Sequence, residues 1–221
     1  MNTDPFVYLF QNGFRFDPIL YTKKGIEIFR TNVGYFITFT LLLMVALFII
    51  RRILPDYINW LPQTLLPIFS VGYYWVCNQT YNKEKIEMRD FLIGFSNFGP
   101  CYVAGLVTVL PLLISGIVGR WLGWPLSLLP FCVSLGIFLC YIFVVPLVFF
   151  HNASLWSAME TSRKIAFSRP KEILLLYAII AAANIAGMLA LLVGLLASIP
   201  LSHAIIYSAY EDIVSQNHDK V

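Results

Sequence analysis

The chain has 221 residues, of which 59% are hydrophobic and only 12% charged, with a formal net charge of +3. Soluble domains carry roughly 25% charged residues, so this balance excludes an ordinary soluble globular domain. The basic residues form no stripe along a soluble face, which excludes a nucleic-acid-binding surface.

The charges are clustered and leave long apolar runs. A run of about 18 or more apolar residues can cross about 30 Å of hydrocarbon. Segment 1–32 contains Asp4, Asp17 and Glu27 and no uninterrupted apolar core. It reads as an N-terminal interfacial segment rather than a secretory signal, so the first spanning helix is expected to direct insertion. The first span is Val33 to Ile50, stopped by Arg51 and Arg52. A polar link (Pro55, Asp56, Asn59) leads to a second run, Trp60 to Cys77, interrupted by Pro62 and Pro67. Membrane helices tolerate proline where neighbours satisfy the freed carbonyls. Residues 33–77 are therefore expected to form a first hairpin.

Residues 78–99 carry Lys83, Glu84, Lys85, Glu87, Arg89 and Asp90 and are too polar to span. They are expected to form an interfacial helix. A second hairpin, 100–150, comprises spans at about Pro100 to Val118 and Leu126 to Phe150. Trp121 and Trp124 sit at its turn, where an aromatic belt belongs. The next polar stretch, 151–171, places Leu155, Met159, Ser162 and Ala166 on one helical face, with Arg163 and Lys164 near its C-terminal end, where the helix dipole favours cations. Ile173 to Tyr210 is uncharged and too long for one helix. Two helices that turn near Gly187 to Gly194 fit best. The alternative is one span followed by a surface helix starting at Pro200. The third hairpin is thus 172–212, and 213–221 is a polar tail.

The three polar segments resemble one another. Each ends in an aromatic residue followed by a break: Phe29 before Thr31-Asn32, Phe95 before Ser96-Asn97, and Phe167 before Ser168-Arg169-Pro170. Repeats of this kind would be parallel in orientation. Pairing the runs also sorts the basic residues. Arg15, Lys23, Lys24, Arg30, Lys83, Lys85, Arg89, Arg163, Lys164, Arg169, Lys171 and Lys220 fall on the side of the termini, and Arg51, Arg52 and Arg120 on the other. The positive-inside rule makes the richer side cytoplasmic. The predicted fold is an all-α integral membrane protein of about six transmembrane helices in three hairpins, each preceded by a cytoplasmic amphipathic interfacial helix.

No catalytic, cofactor-binding or metal residue is expected. Cys77, Cys101, Cys132 and Cys140 lie in or beside apolar runs and form no CxxC pair, so they read as buried thiols. His151, His203 and His218 have no partner at metal-ligand spacing. The spans hold almost no ionisable residue, which argues against a proton-driven pump. Asn184, Ser202, His203 and Tyr207 are the polar exceptions. Asn184 reads as an interhelical hydrogen-bonding residue worth about 1 kcal/mol. Ala183, Gly187, Ala190, Gly194 and Ala197 recur at spacings of 4, 3, 4 and 3 and read, with Asn184, as a helix-packing stripe. Lys23, Lys24, Arg30, Arg163, Lys164, Arg169 and Lys171 are lipid-headgroup candidates, at roughly 1 kcal/mol per basic residue.

Three places resemble a group of bacterial six-helix membrane proteins that includes the glycerophosphoryl diester phosphodiesterase membrane domain and related domains of unknown function. Ile26-Glu27-Ile28-Phe29-Arg30-Thr31-Asn32 is similar to the group's opening "helix, aromatic, Asn" pattern. Ser157-Ala158-Met159-Glu160-Thr161-Ser162-Arg163-Lys164 resembles its "A-M-x-x-S-x-[KR]" helix. Asn184-Ile185-Ala186-Gly187, Gly194-Leu195-Leu196 and Pro200, closed by Ala209-Tyr210-Glu211-Asp212, resemble its last hairpin. The resemblance implies six helices and residence in the bacterial inner membrane, and it carries over no catalytic residue. The function expected is that of a non-enzymatic scaffold, lipid-interacting protein or accessory subunit. Its partners would be membrane lipids and another membrane protein or a second copy, not nucleic acid. The alternative is a transporter or channel for a small neutral or lipidic solute.

Overall fold

A computed structural model describes residues 13–55, 61–190 and 193–218. The link residues Asp56 and Asn59, the start of the second run at Trp60, and Lys220 lie outside these. The described residues are helical and joined by short turns, with no strand among them. Helix α1 is Pro18–Thr31 and α2 is Val33–Ile53. A single turn, α3 (Leu61–Thr64), precedes α4 (Leu66–Tyr81). A 3-10 segment, Met88–Phe95, leads to α5 (Phe98–Leu122). Then follow α6 (Leu128–Cys140), α7 (Val144–His151), α8 (Leu155–Ser168), α9 (Pro170–Leu189) and α10 (Leu195–His218).

Four stretches are long and apolar enough to cross a membrane: α2, α5, α6 with α7 (Leu128–His151), and α9. The other two expected spans are less apolar or shorter. Helix α4 has 16 residues, and α10 carries Glu211 and Asp212 toward its C-terminal end. The long uncharged region is divided into two helices, α9 and α10. Pro200 lies inside α10 rather than opening a helix.

The same backbone break occurs where each polar segment meets the apolar helix that follows. Asn32 (φ −132°, ψ 36°) and Arg169 (φ −136°, ψ 58°) each end one helix and start the next, and Asn97 (φ −123°, ψ 50°) starts α5 two residues after the 3-10 segment ends. None of the three caps its following helix with a side-chain hydrogen bond. The side chains reach elsewhere: Asn32 donates to Thr80 (3.1 Å) and Arg169 to the Phe14 carbonyl (2.7 Å).

Residues 78–99 differ from the expected interfacial helix. Helix α4 continues to Tyr81, and only Met88–Phe95 is helical again, as a 3-10 segment. The cause is Phe91, which is fully buried. Its ring stacks on Phe39 (centroids 4.3 Å apart) and meets Phe36 and Tyr73 edge-on. Glycines allow this approach. A β-carbon on Gly72 would overlap the Phe91 carbonyl, and one on Gly94 would overlap the Ile68 carbonyl. The Phe91 ring is inserted into the core, while Lys83, Glu84, Lys85, Glu87 and Arg89 stay exposed.

Helix α10 forms the centre. Every residue from Ala204 to Tyr210 is buried, and α1, α2, α4 and α9 all pack against it. Helix α1 closes on it through Pro18, Tyr21, Gly25 and Ile28, a single face at spacings of 3, 4 and 3. A β-carbon on Gly25 would sit 2.8 Å from the Ile205 Cα, so only glycine permits this crossing. Lys23, Glu27 and Arg30 occupy the opposite, exposed face.

The break between α6 and α7 has a specific repair. Pro146 lacks an N–H, and its ring displaces the carbonyl four residues earlier. The chain unwinds over Tyr141–Phe143. Ser162 of α8 bridges the gap: its hydroxyl donates to the Cys140 carbonyl (2.8 Å) and accepts from the Phe143 N–H (3.2 Å). Ser162 is the serine of the A-M-x-x-S-x-[KR] pattern. Ser162→Ala leaves two buried backbone groups unsatisfied and is expected to cost about 1–3 kcal/mol. Thermal unfolding in detergent, with Ser157→Ala, a half-buried serine of the same helix, as the control, measures it; equal melting of the two variants contradicts the bridging role.

Candidate functional site

A cleft of about 400 Å³ opens between α4, α9 and α10, with a far wall from α5 to α7. The three helices present the same periodicity. Helix α9 contributes Tyr177, Ile180, Ala181 and Asn184, and α10 contributes Ile199, Ser202, His203 and Ile206. Both sets are spaced i, i+3, i+4, i+7, which is one face of a helix. Leu66, Ser70 and Tyr74 of α4 follow the same rule, and Thr108, Phe138, Ile142 and Val145 close the far side. The lining is mainly apolar, with neutral polar groups and no Asp, Glu, Lys or Arg. Such volumes and linings are typical of small-molecule sites.

Most polar groups in the cleft are committed to one another. Asn184 donates to the Ile180 carbonyl (2.9 Å) and to the Ser202 hydroxyl (2.8 Å), and accepts from Ser198 (3.0 Å). Ser202 donates to the Ser198 carbonyl (2.7 Å). His203 Nδ1 lies 2.9 Å from the Ile199 carbonyl. A carbonyl only accepts, so Nδ1 carries the proton and the neutral ring accepts at Nε2. Ser70 Oγ sits 3.1 Å from that nitrogen. The imidazole stacks on Tyr73 (centroids 4.7 Å apart), whose hydroxyl pairs with Thr40 (2.7 Å). Tyr177 stands apart: its hydroxyl is buried and has no hydrogen-bond partner among the described residues.

Ser70, the fifth residue of α4, and His203 form a serine–histidine pair. The described residues contain no cluster of three or more His, Cys, Asp or Glu able to hold a metal. Cys77 and Cys101 are buried, Cys140 is half-buried and Cys132 is exposed, and all four are free thiols.

Of the polar residues singled out in the sequence, Asn184, Ser202 and His203 come together in the cleft. Tyr207 does not. It lies one turn beyond, accepting from Asn78 (2.8 Å) and donating to Glu211 (3.1 Å). Three lining residues, Ser70, Tyr74 and Tyr177, carried only the weak signal of polar atoms at helical spacing inside apolar runs. The packing stripe is used within the chain at one end. A β-carbon on Gly187 would fall 2.6 Å from Ser198 Oγ and 3.0 Å from the Gly194 carbonyl carbon. Ala183 and Ala197 are half-buried, and Ala190 is exposed.

The basic residues divide. Lys24 pairs with Asp212 (3.5 Å), Arg163 is held bidentately by Glu160 (2.8 and 2.9 Å), and Lys164 lies 3.7 Å from the same carboxylate. The Arg163 hydrogen bond holds the Glu160 carboxyl below the usual carboxylate range. Arg169 bonds the Phe14 carbonyl and reaches Glu172 at 4.0 Å. Lys23, Arg30 and Lys171 are exposed, with no ion pair among the described residues. Asp212 also accepts from Tyr21 (2.9 Å) and Gln216 (2.6 Å), and Gln216 exchanges two hydrogen bonds with the Arg15 backbone. Burial, reinforced by Asp212, pushes the Tyr21 phenol well above its ordinary range. These contacts clasp α1 onto the end of α10.

No protein-family model matches the chain, and neither a curated protein nor a solved structure matches it. Its function is therefore argued from its own residues. Asn184→Leu removes the acceptor of Ser198 and the donor to Ser202. With about 0.6–1.7 kcal/mol per interhelical hydrogen bond in membrane proteins, it is expected to destabilise by about 1–3 kcal/mol. Denaturation in mixed micelles measures the effect; unchanged stability removes the network from the account of the α9–α10 seam.

Proposed function

We propose that this chain is a non-enzymatic membrane protein that holds an uncharged lipidic molecule in the cleft between α4, α9 and α10. The observation that carries this reading is the lining: an apolar surface bearing neutral polar groups and no charge. A charged ligand buried there would face no counter-ion, at a cost of several kcal/mol. An apolar chain with a neutral polar head meets both parts of the wall. Most of the cleft's polar groups bond to one another or to backbone carbonyls, which suits a binding surface better than a proton-transfer site.

In this reading the protein crosses the bacterial inner membrane six times. Helices α4 and α10 supply the two spans beyond the four most apolar ones, and both termini are cytoplasmic. The twelve-to-three division of Lys and Arg supports that orientation. Of the seven headgroup candidates, Lys23, Arg30 and Lys171 are left to meet anionic headgroups at roughly 1 kcal/mol each. Residence in the six-helix group that the three sequence patterns resemble belongs to the same proposal. A second reading, transport of an uncharged solute, is favoured by one feature: Ile142, in the break between α6 and α7, lines the cleft. Interrupted helices beside a cavity are a recurrent feature of transporters.

Ala181 is exposed and lines the cleft, so a larger side chain there fills space without overlapping the core. Protein extracted in native nanodiscs is expected to retain an uncharged lipid by mass spectrometry. Ala181→Phe is expected to lose most of it while changing stability by no more than about 0.5 kcal/mol, as for ordinary surface changes. Equal retention by both proteins places the lipid elsewhere. Flux of that lipid between reconstituted leaflets would favour the transport reading. For topology, single cysteines in a cysteine-free background are labelled with an impermeant maleimide on spheroplasts. Trp121→Cys is expected to react and Lys171→Cys to stay protected; the reverse pattern inverts the orientation.

A further inference from the structure

A second cavity, of about 350 Å³, lies where α1 meets the C-terminal end of α4 and the C-terminal half of α10. It shares no lining residue with the cleft. We infer that it binds a zwitterion carrying a primary ammonium and a phosphate, the chemistry of a phosphatidylethanolamine headgroup. This site does not rest on the cleft reading.

The walls carry both signs of charge in balance. Lys24 and Glu27 come from α1, Glu211 from α10 and Lys83 from the turn after α4. These charges do not close on one another. Glu27, Glu211 and Lys83 have no ion pair among the described residues. Lys24 reaches Asp212 at 3.5 Å, and an ammonium has three N–H donors, so it keeps donors to spare. Opposite charges that line one cavity without pairing leave a gap for a ligand of both signs.

Glu211 carries the argument furthest. It is half-buried, and its carboxylate takes one hydrogen bond, from the Tyr207 hydroxyl (3.1 Å). An ionised carboxylate offers about four acceptor sites, and a desolvated charge without a counter-ion is costly. A ligand ammonium supplies that counter-ion. A plain anion would leave Glu211 as it stands and add repulsion from Glu27. A plain cation would leave Lys83 unmatched. The neutral donors are spent: Thr31 donates to the Glu27 carbonyl, Thr80 to Val76 and Ser208 to Ala204. Tyr81 is exposed, with no hydrogen bond among the described residues. Recognition therefore falls to the charges, with the ammonium on Glu27 and Glu211 and the phosphate on Lys24 and Lys83. In the orientation proposed above, the cavity faces the cytoplasmic headgroups.

The test uses the full chain in neutral detergent micelles. Dioctanoyl-phosphatidylethanolamine, dioctanoyl-phosphatidylglycerol and the acyl-free glycerophosphoethanolamine are titrated into wild type, Glu211→Gln and Lys83→Asn, and binding is read by native mass spectrometry. Glutamine keeps an acceptor for Tyr207, and asparagine suits the left-handed backbone at Lys83 (φ 58°), so both variants are expected to melt with wild type. Wild type is expected to bind the ethanolamine lipid about 10-fold more tightly than the glycerol lipid, as a charge-assisted hydrogen bond contributes. Glu211→Gln is expected to remove most of that preference, and Lys83→Asn to weaken the ethanolamine lipid about 5-fold. Binding of glycerophosphoethanolamine as tightly as the lipid identifies a soluble zwitterion as the source; binding of the lipid alone identifies the headgroup. Equal binding of the two lipids, tighter binding of the glycerol lipid, or binding of neither overturns the inference and leaves the cleft reading untouched. A preference that Glu211→Gln retains, or an affinity that Lys83→Asn leaves unchanged, overturns it as well. Should Glu211→Gln fail to fold, Lys83→Asn decides alone.

Discussion

Burial of the middle of α10, Ala204 to Tyr210, on every side is the constraint from which the rest of the arrangement follows. A helix surrounded by other helices satisfies its own backbone, but each polar side chain along it must find a protein partner. Buried polar groups without one are expensive. From Ser198 to Gln216 the partners come from four elements: Asn184 of α9, Ser70 and Asn78 of α4, Tyr21 and Lys24 of α1, and the backbone at Arg15. The polar residues of α10 therefore fix the register of its neighbours. Apolar packing alone is less selective, since hydrophobic contacts have no direction. The glycines complete this control by setting distance. Gly25 and Gly187 each allow a backbone to approach where any side chain would collide.

The chain uses one device repeatedly to turn from a polar helix into an apolar one. Asn32, Asn97 and Arg169 share nearly the same extended-to-bridge conformation. In each case the break releases a side chain or ring to work elsewhere. Phe91, six residues before Asn97, enters the aromatic cluster. Arg169 ties the α8–α9 joint to the N-terminal segment through Phe14. The three polar segments are thus alike in sequence position and joint geometry, but not in role. One clasps α10, one inserts a ring, and one, through Ser162, repairs a proline-broken helix.

This arrangement also reassigns charge. A count of Lys and Arg treats every cation alike, whereas the fold separates them. Lys24, Arg163, Lys164 and Arg169 are engaged by Asp212, Glu160, Glu172 or a backbone carbonyl. Exposed pairs of this kind contribute little stability. Their effect is rather to leave Lys23, Arg30 and Lys171, among the headgroup candidates, without an ion pair among the described residues.

The sequence by itself determined the helical class, the presence of apolar runs long enough to span a membrane, and the polar character of Asn184, Ser202 and His203. These follow from local properties: length, apolarity, prolines, and glycines at helix ends. It did not determine that Phe91 would turn inward. The charges at Lys83 to Asp90 outweigh Phe91 in any local count, and only the groove between α2 and α4 rewards burying that ring. Nor did it show that Ser70 would meet His203, 133 residues away, or that the Tyr177 hydroxyl would be buried without a partner among the described residues while Tyr207, equally polar, found Asn78 and Glu211. Helical spacing tells which residues share a face. Which faces meet is decided by long-range packing, because the partner that satisfies a buried polar atom lies on a different helix.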